Sequence, residues 1–164
     1  MIEIERKFLL PQYPEALIRE GKLVIQSEQY IAQTYLAIEG DQELRVRKIE
    51  DMHSGGLTFT HTFKKGHGLA REEIEYIISE GLYSQVIQAL GAIPLTKKRI
   101  TAAWGDTVVE IDCYDQLELT VLEVEFASEE EAVAFAAPEW FGKDISMEKQ
   151  YSNKKVWKDL QQSR

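Results

Sequence analysis

Residues 1–10 read Met-Ile-Glu-Ile-Glu-Arg-Lys-Phe-Leu-Leu. In an extended strand successive side chains point to opposite faces. Glu3, Glu5 and Lys7 therefore share one face, and Ile2, Ile4 and Phe8 share the other. One face is apolar, and the other carries two carboxylates and an ammonium in a row. Taken singly, this is an ordinary half-buried strand with a solvated face. The interpretation changes because the pattern returns along the chain.

Arg45 and Arg47 alternate with Leu44 and Val46, and Thr58, Thr60, Thr62 and Lys64 alternate with Phe59, His61 and Phe63. Arg71, Glu73 and Glu75 alternate with Ile74 and Tyr76, and Lys97 and Arg99 lead into Ile100. Glu110 and Asp112 alternate with Val109 and Ile111, and Glu123 and Glu125 with Leu122, Val124 and Phe126. In most of these seven segments the charges carry one sign. Like charges at adjacent same-face positions repel, and a solvated surface mixes signs. Segregated acids and bases predict a shared interior that binds something both anionic and metal-bound. Parity with the threonines selects Lys64 over Lys65 as the inward lysine and leaves His61 among aromatics as a structural histidine.

The expected strands are 1–10, 25–38, 41–49, 57–65, one around 71–75, 95–104, 107–114 and 117–126. Short turns such as Gly40-Asp41 and Gly105-Asp106 make them antiparallel. Eight antiparallel strands can close, which removes the edges and leaves a lumen. The fold class is then α+β, a closed eight-stranded antiparallel β-barrel with helices packed outside, forming one domain over 1–164. Helical spacing and caps predict a short helix within 11–21 ending at Gly21 and one over 79–90 ending at Gly91. A third starts at the Ser128 N-cap and runs to about 137, and the last covers 151–161. Residues 144–153 form a polar loop.

At 164 residues the chain suits one domain with a substantial core. No apolar run approaches the ~20 residues needed to span a bilayer. The single cysteine, Cys113, excludes an internal disulfide framework and fits a reducing cytoplasm. Setting aside the seven basic and eight acidic residues assigned inward leaves 12 basic against 20 acidic, an exterior near −8. Such a surface repels nucleic acid and anionic membrane, so a bound polyanion must be small enough to go inside. The charged lumen also contradicts a lipocalin-like apolar carrier. A homodimer is left open.

Glu3-x-Glu5-x-Lys7, followed in order by R-x-R, a strand ending in Lys, R-x-E-x-E, K-x-R, E-x-D and E-x-E, resembles the CYTH superfamily, the triphosphate tunnel metalloenzymes. The similarity runs from Glu3 to about Asn153, although Ser146-x-Glu148 stands where the family usually has T-x-D. The form Glu-Ile-Glu-Arg-Lys-Phe over 3–8 is most similar to short bacterial members associated with inorganic triphosphatase activity. The resemblance implies that Glu3, Glu5, Asp112, Glu123 and Glu125 bind Mg²⁺ or Mn²⁺, with Glu73, Glu75 and Glu110 contacting a second metal or orienting bases. It implies that Lys7, Arg45, Arg47, Lys64, Arg71, Lys97 and Arg99 grip a triphosphate. It puts Lys7, Lys97, Arg99 and Glu123 at the reacting group as catalytic residues.

Carboxylate oxygens suit hard divalent cations, Arg and Lys suit phosphate oxygens, and the scattered His53, His61 and His67 offer no zinc site. The expected reaction is attack of a metal-positioned water on a terminal phosphorus of inorganic, thiamine or nucleoside triphosphate. Two other functions share this tunnel: a class IV adenylate cyclase making cyclic AMP, and a non-catalytic binder of polyphosphate or triphosphate. A pure anion binder gains nothing from eight inward acids. Those acids, crowded together, are expected to show raised pKa values.

Overall fold

Period-two alternation favours strands wherever one face can be buried. The computed structural model describes residues 1–163, and Arg164, the last residue of the expected domain, lies outside them. It contains eight strands: β1 Ile2–Leu9, β2 Leu23–Glu39, β3 Gln42–Asp51, β4 Leu57–Lys65, β5 Ala70–Ile77, β6 Leu95–Trp104, β7 Thr107–Tyr114 and β8 Leu119–Glu125. Their order, β1-β5-β4-β3-β2-β6-β7-β8, closes on itself. All eight pairings are antiparallel, and β1 is the clasp, paired with β5 on one side and β8 on the other.

Several strand limits differ from those read in the sequence: β3 runs two residues further and β5 extends to Ala70–Ile77, and two cases have a visible cause. β2 is longer, at 17 residues, and shifts register between Ile25 and Ser27 and again between Tyr35 and Ala37. Such bulges bend a long strand around a barrel. β8 starts two residues late because side chains fix the preceding turn. Asp115 accepts from Tyr30 Oη at 2.7 Å, and Gln116 Oε1 accepts from the Thr96 amide at 2.9 Å.

The helices are α1 Glu15–Arg19, α2 Glu80–Leu90, α3 Glu129–Ala134 and α4 Asn153–Gln162. Ser79 and Ser128 cap α2 and α3 by accepting from the amides of Leu82 and Glu131. α3 is shorter than expected because Phe135 leaves the helix to pack against Phe8, Phe126 and Phe141. Residues 144–153 are not a free loop: Ile145 is buried, its amide bonds Lys7 O at 2.8 Å, and Lys149–Tyr151 form a 3-10 turn.

Apolar residues cover the barrel in three places. On the outer wall Phe8, Ile100, Ile111, Leu122 and Val124 pack under α1 and the aromatic segment 135–141. Val46 and Phe59 pack under Tyr83 and Val86 of α2. Gly142 makes the first of these possible, since a Cβ there would lie 2.3 Å from Leu9 O. The third cluster is built differently. Val156, Trp157 and Leu160 of α4 meet Leu95, Tyr114 and Val121, which share the inward parity of Lys97, Asp112 and Glu123. α4 therefore does not lie on the outer wall; it covers one end of the barrel. No helix is long and apolar enough to cross a membrane.

Candidate functional site

Along each strand the inward charges mostly share a sign, but the antiparallel register sets them opposite the other sign. Glu3 faces Arg71, Lys64 faces Glu73, Lys7 faces Glu123, and Arg99 faces Asp112. Ion pairs result. Lys64 Nζ lies 2.9 Å from Glu3 and 3.3 Å from Glu73. Arg47 donates to Glu75 at 2.8 Å, and Thr62 donates to the same oxygen at 2.9 Å. Arg99 grips Asp112 with both arms, at 2.8 and 2.9 Å, and comes within 3.3 Å of Glu110 and 4.0 Å of Glu123. Lys97 lies 2.8 Å from the same Asp112, which is fully buried.

Like charges meet at two places. Glu5 faces Glu125 and Glu110 faces Glu123. Glu3, Glu5 and Glu125 bring one carboxylate oxygen each within 4.8 Å of one another, the one such trio among the described residues. Hard oxygen donors at this spacing fit Mg²⁺ or Mn²⁺. Glu73, Glu75, Glu110, Asp112 and Glu123 stand outside the trio. On the basic side, Arg45 is buried and forms no ion pair with a carboxylate among the described residues; its Nε has no hydrogen-bond partner in the protein. Lys7 Nζ donates to the Tyr151 carbonyl at 2.8 Å.

The pKa values follow these pairings rather than rising together. Burial, with the charges of Glu123 and Glu3, pushes Glu5 well above the usual carboxylate range. Burial also raises Glu73, Glu110 and Glu125. In Glu3, Glu75 and Glu123 burial acts in the same sense but is outweighed by Lys64, by Arg47 and by Lys7 with Arg99, so all three are lowered. Arg99 and Lys97 likewise overcome burial at Asp112 and hold it far down. Burial and the charges of Arg45 and Arg99 bring Arg47 down to about 10 despite Glu75. Arg47 is thus under-compensated, as Glu5 is among the acids, whereas against burial the charges of Tyr35 and Glu43 raise Arg45.

A cavity of about 770 Å³ is lined by Glu3, Glu5, Lys7, Arg45, Lys64, Arg71 and Glu123. Its mouth lies between the β2–β3 turn, the β4–β5 loop and residues 145–154, with Lys154 and Lys158 of α4 at the rim. A second cavity, of about 440 Å³, is lined by Thr101, Asp106, Glu110 and Glu125, and Glu123 borders both.

A model of the CYTH domain matches residues 1–158. The chain belongs to the CYTH family. An inorganic triphosphatase of Nitrosomonas europaea is 32% identical to this CYTH chain over 158 residues, 94% of it and 95% of the relative. One of Acetivibrio thermocellus is 26% identical over 160 residues, 96% and 94% of the two chains. A crystal structure of an inorganic triphosphatase matches with a TM-score of 0.63 at 30% identity, over 94% of this chain and 93% of that one.

Of the residues singled out in the sequence, Glu3, Glu5, Lys7, Arg45, Lys64, Arg71 and Glu123 share the larger cavity of this CYTH barrel. Glu110, Glu123 and Glu125 border the smaller one. Arg47 with Glu75 and Lys97 with Arg99 and Asp112 form ion-paired groups in the barrel wall. Glu73 meets Lys64. Glu43 escaped notice: it is buried, lines the cavity and lies 3.4 Å from Arg71. It has the parity of Arg45 and Arg47, so E-x-R-x-R was the signal that would have found it. The Tyr151 carbonyl on Lys7 had no signal, because a backbone atom leaves none in a side-chain pattern.

Proposed function

We propose that this CYTH protein is a metal-dependent triphosphatase, with inorganic triphosphate its foremost substrate. Water attacks the terminal phosphorus, the bridging P–O bond breaks, and pyrophosphate and phosphate leave. The observation that carries this reading is a Glu3–Glu5–Glu125 trio whose Glu3 and Glu5 line the same cavity as Arg45, a buried guanidinium that forms no ion pair among the described residues. A polyphosphate with a divalent cation supplies both missing charges. Cyclisation of a nucleoside triphosphate would use the same cations and metal but needs a ribose 3′-hydroxyl as the nucleophile, and anion storage would leave the carboxylate trio without a role; hydrolysis needs only water as the nucleophile and uses both sets.

Glu3, Glu5 and Glu125 would hold Mg²⁺ or Mn²⁺, which when bound neutralises phosphate oxygens and lowers the pKa of water. Lys7, Arg45, Lys64 and Arg71 grip the phosphates near the mouth. Lys97 and Arg99 stabilise charge on the transferring group. Lys7 leaves the Tyr151 carbonyl and Lys64 shares its ammonium between Glu3 and a phosphate oxygen. We assign Asp112 to fixing Lys97 and Arg99, and Glu73, Glu75 and Glu110 to orienting bases. Glu123, opposite Lys7 and bordering both cavities, faces the reacting group.

The test is phosphate release from inorganic, thiamine and adenosine triphosphates with Mg²⁺, Mn²⁺ or EDTA, beside an assay for cyclic AMP. Release is expected to be fastest from inorganic triphosphate and to stop in EDTA. Cyclic AMP without phosphate would make the protein a cyclase. Silence in both, with triphosphate still raising the melting temperature, would make it a binder. Arg45→Ala is expected to raise KM for triphosphate about 10- to 100-fold, the scale of losing charge-assisted hydrogen bonds. An unchanged KM would remove Arg45 from the substrate site.

A further inference from the structure

Two successive inward-facing rungs cross the basic wall of the barrel. The first, Tyr35–Arg45–Thr62, includes the Tyr35 and Arg45 that line the larger cavity. The next rung of the same parity, two residues along each strand, is Gln33–Arg47–Thr60. Gln33 is 0% exposed, and neither atom of its carboxamide has a hydrogen-bond partner in the protein. Its rung neighbours repeat the pattern: Arg47 Nε and Thr60 Oγ1 are buried and also without partners. A buried amide or hydroxyl left unpaired costs about 1–3 kcal/mol, so native proteins keep few of them. Three on one rung, all on inward-facing side chains, form a cluster rather than scatter.

The rung ends where it can find no partner of its own. Beyond Gln33 stands Leu95, fully buried under α4, so the carboxamide has an apolar side chain on that flank and Arg47 on the other. Gln33 offers two N–H donors and one acceptor, Thr60 a hydroxyl, and Arg47 the N–H groups that Glu75 does not take. Donors outnumber acceptors, and one of them is charged. That chemistry suits several anionic oxygens on one centre, as in a phosphoryl group.

We infer that Gln33, Arg47 and Thr60 form a buried subsite for the innermost phosphoryl group of the substrate, and that Gln33 contacts it directly. The inference rests on the triphosphatase reading. It deepens that reading into a specificity rule: the end of the chain that reaches this rung carries an unesterified phosphate. An ester group would set carbon against the Gln33 amide and Arg47. Nucleoside or thiamine triphosphates would then enter phosphate-first, their organic part toward the mouth.

The test uses Gln33→Met, close in shape but apolar, and Thr60→Val, with three readouts: melting temperature alone, its rise with inorganic triphosphate in EDTA, and steady-state hydrolysis with Mg²⁺. Each variant is expected to keep or raise the melting temperature of the free protein, because an unpaired polar group is removed. Each should lose part of the triphosphate-induced rise and about 10- to 100-fold in kcat/KM. Unchanged kcat/KM in both variants overturns the subsite, as does a lower melting temperature with full turnover, which marks atoms that serve the fold or a buried water only. If Gln33→Met fails to fold, Thr60→Val decides alone. A wild-type protein neither hydrolysing triphosphate nor stabilised by it would reject the triphosphatase reading itself. An active wild type with unaltered variants would reject only the subsite.

Discussion

Glu5→Gln is expected to abolish metal-dependent turnover while raising the melting temperature of the metal-free protein at neutral pH. Glu5 is buried beside Glu123 and Glu3, opposite Glu125, and makes no ion pair among the described residues. Its folded pKa stands well above the ordinary 4.5. The sign follows from proton counting. Between the unfolded and the folded pKa the native state binds more protons than the unfolded one, so stability falls as pH rises through that window. Gln cannot ionise, so its advantage is absent below the unfolded pKa and grows above it. The gain is a few degrees, since ~1 kcal/mol moves the melting temperature of a domain this size by about 2–4 °C. Turnover should drop by about 10²- to 10³-fold or more, the scale of removing one preorganised group from a transition-state charge site. Melting curves in EDTA between pH 5 and 8, beside phosphate release with Mg²⁺, check both halves. A variant that melts lower at neutral pH, or that keeps its metal-dependent rate, would sink the assignment of Glu5.

Asp112→Asn is expected to do the reverse on stability. Asp112 is fully buried and serves two cations at once, Arg99 through two bonds and Lys97 at 2.8 Å. Removing the charge leaves both cations buried and poorly paired, which costs about 3–5 kcal/mol. The melting temperature should fall by about 6–20 °C. Asp112 has its pKa pulled far below the carboxylate range, so its stabilisation is present above the unfolded value and fades as pH falls through the folded one. The acid limb of the wild-type stability curve should therefore flatten in the variant. Residual activity should keep the wild-type half-saturating Mg²⁺ concentration, because Asp112 stands outside the Glu3–Glu5–Glu125 trio. A shifted Mg²⁺ requirement with little loss of stability would return Asp112 to the metal.

Parity carried most of the barrel. Lys64 rather than Lys65 is inward, His61 stacks on Tyr76 on the outer face, and the strands pair in antiparallel order as their turns implied. The same parity ran past Leu95 and Val121, where the inward face becomes apolar at one end of the barrel. That change marks where α4 sits, yet the helix itself gave no address. Val156, Trp157 and Leu160 make a stripe that fits an outer wall or a barrel end equally well, because amphipathicity specifies a face and not its partner.

The sequence by itself determined which residues face inward, because side-chain alternation is a property of a single strand and needs no neighbour. It determined the chemistry of the lumen for the same reason. Register decided the rest. Acids segregated along β1, β7 and β8 and bases along β3 and β6 become ion pairs only where register and closure of the barrel bring them together. Those cross-strand meetings decided which carboxylates are neutralised, as at Lys64 with Glu3 and Glu73, and which are left to one another, as at Glu5 with Glu125. Local pattern sets the direction of a side chain; what it meets depends on residues elsewhere in the chain, as far apart as Glu5 and Glu125, brought there by closure of the barrel.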